Sequence, residues 1–172
     1  MTFLEERTIG PELGSDSIAA GTLAAYVGMM LVLVYMIASY GWFGVMANIA
    51  LIINIVMLFA VLSLIGATLT LPGIAGIVLT MGMAVDANVL IYERIREELR
   101  DGKGPARAIE LGFERAFSAI MDSNVTAIIT ALIMFWIGSG PIRGFAVTLG
   151  LGIVTSMFTA VYVTRFIIST WL

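Results

Sequence analysis

Leu71-Pro-Gly-Ile-Ala-Gly-Ile-Val-Leu-Thr-Met-Gly-Met-Ala-Val-Asp86-Ala-Asn-Val-Leu-Ile-Tyr92 is the stretch that decides the fold. Twenty-odd residues at a rise of about 1.5 Å cover the roughly 30 Å of a bilayer's hydrocarbon core. Asp86 is the only formally charged residue between Ser17 and Tyr92. A charged cluster opens at Glu93, which puts Asp86 roughly 10 Å inside the apolar layer. A carboxylate there costs about 2.5–3.5 kcal/mol on insertion scales, and proton or ion handling is the usual reason to keep one.

The same apolar character extends outward from this segment. Hydrophobic residues make up 60% of the chain and mean hydropathy is +1.03, values that belong to an integral membrane protein. A formal charge of −3 offers no basic face for phosphates, so nucleic acid is excluded as a partner. Zero cysteines and zero histidines remove disulfides, imidazole bases and the common zinc constellations. No nucleophile–base pair or metal set assembles from what remains, so neither an enzyme nor a cofactor is expected. Carboxylates shifted upward by burial are the groups left to exchange protons near neutral pH. The eleven Met and eighteen Gly suit close helix packing in lipid.

The pattern predicts an all-α membrane protein with five spanning helices, near residues 18–40, 44–65, 71–92, 118–137 and 142–168. Residues 1–16 read as the end of an external domain or a linker, with a short strand at Glu5–Ile9 and a turn at Gly10-Pro11. Ser15-Asp16-Ser17 is a capping sequence for the first helix. Tyr40 and Trp42, at the tight Gly41–Gly44 connection, suit the interfacial aromatic belt. Six of the nine basic residues, Arg94, Arg96, Arg100, Lys103, Arg107 and Arg115, fall between helices three and four. That connection, residues 93–117, is therefore cytoplasmic, with the N-terminus outside and the C-terminus inside. An external N-terminus with neither signal nor preceding helix predicts at least one further helix upstream. Within the connection, Glu93/Arg96, Arg94/Glu98 and Glu97/Arg100 are spaced as helical ion pairs. After the Asp101–Pro105 break, an amphipathic helix bearing Ile109, Phe113, Ala116, Phe117 and Ile120 is expected to lie flat on the cytoplasmic interface.

Three polar patterns bear on function. Asp86 is either a proton-loading group, its ionised form disfavoured by the apolar surroundings, or a carboxyl bonded to a neighbouring helix as structural glue. Asn88 lies on a different face and suits a bond to a helix neighbour. A stripe of Asp122, Thr126 and Thr130, with Ser123 and Asn124 beside it, either relays protons towards Asp86 or back-bonds to its own carbonyls. Helix five repeats Gly144, Thr148, Gly152, Ser156, Ala160 and Thr164 at every fourth position, a small-residue stripe that predicts close helix packing.

At these residues the chain resembles a known family. The Leu71–Ile77 run followed by Gly82-Met-Ala-Val-Asp-Ala-Asn-Val-Leu-Ile-Tyr-Glu-Arg-Ile-Arg-Glu-Glu-Leu99 resembles the fourth transmembrane segment of the SecD family of bacterial and archaeal protein export. Gly112-Phe-Glu-Arg-Ala-Phe117, Ile120-Met-Asp-Ser-Asn-Val-Thr-Ala-Ile-Ile-Thr130 and Gly140-Pro-Ile-Arg-Gly-Phe-Ala146 are similar to later segments of that family.

The resemblance implies a bundle of the resistance-nodulation-division type, a half-transporter of which this chain lacks the first helix. It implies that Asp86 is the acid through which proton flow drives motion of external domains. The implied partners are SecF, the SecYEG channel, unfolded exported polypeptide and the lipid bilayer of the cytoplasmic membrane. Two other readings stay open: half of an exporter of small molecules or lipids from the same superfamily, and a non-transporting scaffold of the translocon.

Overall fold

The computed structural model describes the backbone of residues 11–171 and the side chains of residues 14–170. The strand expected at Glu5–Ile9 lies outside the described residues. Helices α1 (Pro11–Tyr40), α2 (Trp42–Leu64), α3 (Leu71–Arg100), α4 (Pro105–Ile137) and α5 (Pro141–Phe158) come in that order along the chain. A π-helical turn, Thr159–Val163, then leads without a break into α6 (Thr164–Trp171). Short connections between long helices make neighbours antiparallel. Among the described residues, five helical stretches are long and apolar enough to cross a membrane, the fifth running from Pro141 through the π-turn to Thr170.

Local chemistry sets the helix ends. Pro105 and Pro141 open their helices, where a missing N–H deprives the helix of nothing. The Thr70 side chain caps α3 by accepting from the Gly73 N–H at 3.3 Å. One residue, Gly41, separates α1 from α2, and its φ of 58° is a conformation that glycine adopts without a Cβ clash.

Two expectations need correction. The first helix begins at Pro11, not after the Ser15-Asp16-Ser17 sequence, because Pro11 is itself suited to a first helical position. The amphipathic segment after Pro105 is not a separate helix lying on the interface. It is the first half of α4, which runs unbroken to Ile137. No Gly or Pro interrupts residues 113–137. The apolar face that was expected to meet lipid headgroups packs on α3 instead: Ala108, Phe113, Ala116 and Ile120 are buried in one cluster with Ile91 and Ile95.

Helix α3 is the hub, packed most extensively on α5 and then on α4, with α1 and α2 beside it. At about 1.5 Å per residue, its 30 residues reach roughly 45 Å, so its charged last turns stand beyond a bilayer core of about 30 Å. The small-residue stripe of α5 meets α3 directly. A Cβ at Gly152 would stand 2.9 Å from Thr80 Cβ, and one at Gly76 would stand 3.1 Å from Thr148 Cβ. Lipid tails are as apolar as Leu, so close van der Waals packing of this kind is what joins helices in a bilayer. Large apolar side chains such as Leu31, Val34, Val56 and Leu132 cover the outside, as a lipid-facing surface requires.

Candidate functional site

Asp86 sits on the side of α3 turned away from α5. The α5-facing side carries Gly73, Gly76, Thr80, Ala84 and Asn88, all buried. At about 100° per residue, Asp86 is well over a quarter-turn from that line. Its side chain is exposed and opens into a cleft of about 190 Å³ between α3 and α4. Met83, Ala87 and Leu90 line the α3 wall, and Ile120, Ser123 and Asn124 line the α4 wall. Among the described residues Asp86 has neither an ion pair nor a hydrogen bond. The burial expected from its depth in the apolar segment does not come from the described residues. A lipid-facing carboxylate is a costly arrangement, which favours cover by other protein.

The relay stripe is not brought to Asp86. Asp122, Thr126 and Thr130 are exposed, and both threonines are engaged in their own helix. Thr126 Oγ1 donates to the Asp122 carbonyl at 2.9 Å and Thr130 Oγ1 to the Thr126 carbonyl at 3.0 Å. The neighbours Ser123 and Asn124 reach the cleft instead; Ser123 Oγ donates to the Ile120 carbonyl at 3.1 Å.

Asn88 faces the other way. It is 3% exposed and accepts at Oδ1 from Thr164 Oγ1 at 3.1 Å. The same hydroxyl lies 3.1 Å from the Thr159 carbonyl, five residues back, which is the spacing of the π-turn. One hydroxyl hydrogen thus serves an acceptor in α3 and one in its own helix. Of the α5 stripe, Thr148, Gly152, Ser156, Ala160 and Thr164 are buried and Gly144 is half-buried, so the stripe lies at a helix–helix contact.

A second cluster escaped the sequence reading. Glu98, among the most buried side chains described, forms ion pairs with both Lys103 and Arg115. The hydrogen bond from Lys103, reinforced by the charge of Arg115, holds the Glu98 carboxyl below the usual glutamate range. It lies in the charged turns beyond the apolar span. The expected pairing of Arg94 with Glu98 does not form, because Arg94 pairs with Glu97 at 3.0 Å. Glu93 pairs with Arg96 at 3.2 Å and accepts from Tyr40 Oη at 3.0 Å. The signal for Glu98 was its register: it continues the buried line Ile91–Ile95 that a charge-pattern argument ignores.

The whole chain, residues 1–172, matches the family described as protein export membrane protein SecD/SecF, C-terminal. It is 62% identical to the protein translocase subunit SecD of Rhodobacter capsulatus over 171 residues, covering 99% of this chain and 31% of the relative. It is 61% identical to the corresponding subunit of Pseudomonas aeruginosa over 165 residues, 96% of this chain and 27% of that one. The crystal structure of SecDF from Thermus thermophilus, a translocon-associated membrane protein, superposes with a TM-score of 0.91 at 44% identity, covering 94% of this chain and 23% of that one. SecDF in its super-membrane-facing form gives a TM-score of 0.88 at 43% identity, covering 94% and 22%. This chain spans about a third of the length of the curated relatives it matches.

Proposed function

The chain belongs to the SecD/SecF family, a multi-pass membrane family, and from that premise we propose that it is the proton-coupled membrane portion of an accessory subunit of the Sec translocase. In this reading it works with SecF and the SecYEG channel and helps to draw unfolded polypeptide across the cytoplasmic membrane. Residues 17–172 form the transmembrane domain, residues 93–117 face the cytoplasm, and the N-terminus is outside.

The observation that carries the reading is Asp86: a carboxyl with no partner among the described residues, in an otherwise uncharged span, opening into a cleft on the outer face of α3 and α4. Protonated, the group is nearly apolar and tolerates lipid or an apolar partner surface. Ionised, it demands a countercharge or water. Loading and unloading the proton therefore alters what the α3–α4 face will pack against. The differential free energy is a few kcal/mol, enough to bias a two-state element.

Asp86→Asn in the full-length subunit is the test. Export of a reporter driven by the proton-motive force falls to the level seen without the subunit, while co-purification with the partner subunits is unchanged. Full stimulation with the Asn variant would reduce Asp86 to a packing residue.

A further inference from the structure

The Asp86 cleft shares one wall with a second cavity. A space of about 320 Å³ lies among α4, α6 and the π-turn, lined by Glu110, Glu114 and Arg165 together with Ile91, Phe117 and Ile120. Ile120 also lines the Asp86 cleft. On α3 the adjacent residues Leu90 and Ile91 divide in the same way, Leu90 lining the cleft and Ile91 the cavity. Ile120, 3% exposed, is thus a wall common to both spaces.

Their linings differ in the way a proton route requires. The larger cavity lies at the end of the bundle that carries the charged α3–α4 connection, and its two carboxylates and guanidinium make it a wet space. Glu110 is engaged by Arg107 at 2.7 Å. Glu114 is exposed and has no ion pair or hydrogen bond among the described residues. The π-turn contributes Val161 to the same wall. Its extra residue rotates the remainder of the helix by about 100°, which helps to set where Arg165 lies on α6.

We propose that Ile120 is the apolar barrier between the Asp86 cleft and a water-filled vestibule, and that Glu114 is the carboxylate that receives the proton Asp86 releases. The proposal rests on the proton-coupling reading of Asp86. The Asp86 O–H bond breaks and leaves its electron pair on the carboxylate. Water carries the proton past Ile120, a Glu114 carboxylate oxygen takes it up, and transfer to bulk water resets Glu114. A single hydrophobic constriction blocks this passage by excluding water and opens when the side chain moves or its apolar surface is lost.

The test uses the full-length subunit with its membrane partners in proteoliposomes, with a pH-sensitive dye inside and an imposed membrane potential. Ile120→Thr keeps the branched shape and adds a hydroxyl. It is expected to raise proton flux roughly tenfold, the effect of lowering a barrier by about 1.4 kcal/mol. Adding Asp86→Asn should return the flux to the background of protein-free vesicles, and adding Glu114→Gln should cut it severalfold.

Unchanged flux in a correctly assembled Ile120→Thr complex overturns the barrier, and unchanged flux on adding Glu114→Gln overturns the acceptor. If Ile120→Thr does not assemble, Glu114→Gln alone, at an exposed position, still has to lower the native flux. Asp86→Asn alone separates the two ideas. If it abolishes flux and export while Ile120→Thr changes nothing, only the barrier fails. If it leaves both intact, the reading of Asp86 fails and takes the barrier with it.

Discussion

Glu98 and Asp86 are two carboxylates on one helix with opposite surroundings. Glu98 is enclosed by this chain and neutralised twice, by Lys103 from the α3–α4 connection and by Arg115 from α4. It clamps the two helices where they leave the apolar span. Its pKa is depressed below the usual 4.5, so the clamp's contribution to stability is complete above about pH 4.5 and is lost as the pH falls through the lower, folded-state value. Protection of the α3–α4 hairpin amides against hydrogen exchange, corrected for intrinsic rates, should therefore hold from pH 7 down to about 4.5 and fall in more acid solution. Glu98→Gln should flatten that acid limb and lower the thermal midpoint, since it leaves two cations without their counterion. An unchanged acid limb in Glu98→Gln would remove Glu98 from the clamp. Asp86, by contrast, has no ion pair or hydrogen bond among the described residues. Its place in a membrane span was legible from the residues alone. Its lack of a partner was not, because pairing depends on which residues of α4 and α5 come within reach.

Packing of α3 on α5 is the element whose character the sequence states most directly. Small residues at every fourth position of α5 predicted close approach, and Gly152 against Thr80 is where the approach is tightest. Gly152→Val should cost about 1–3 kcal/mol by overpacking, read as a lower midpoint in detergent melts. Gly150→Ala makes the control, since a Cβ there meets only Ala131 Cβ, at 3.7 Å. Equal midpoints for the two variants would mean that α3 and α5 separate at no cost. The π-turn at Thr159–Val163 was not legible, because the local run Thr-Ala-Val-Tyr-Val contains no Gly or Pro. It is stabilised by tertiary partners, Asn88 of α3 among them through Thr164. The continuity of α4 was misjudged for a related reason. A hydrophobic stripe beside charged residues reads equally well as a lipid-surface helix or as a helix packed on a neighbour. Gly112 decides between them only once Ile95 lies against it, its backbone nitrogen 2.9 Å from where a Cβ would be.

For the whole molecule the charged end is the common feature. Tyr40, Glu93, Glu98, Glu110, Arg115 and Arg165 belong to contacts or cavities at one pole of the bundle, the pole assigned to the cytoplasm. Asp101→Cys and Ser139→Cys, both at exposed loop positions in a chain without cysteine, test the assignment. In intact cells a membrane-impermeant maleimide should label the second and not the first; the reverse pattern would invert the topology. Composition, the charge distribution and one acid inside an apolar run were enough to determine a five-span membrane chain, its polarity as proposed and its principal candidate residue. These rest on transfer free energies that each residue carries wherever it lies. The tertiary structure alone decided that Asp86 opens into a cleft with Ser123 and Asn124, that Asp122, Thr126 and Thr130 stay outside it, and that Ile120 lines both that cleft and a second cavity. Those facts depend on the rotational phase of each helix, and that phase is set by the side chains with which its neighbours fill the space between them.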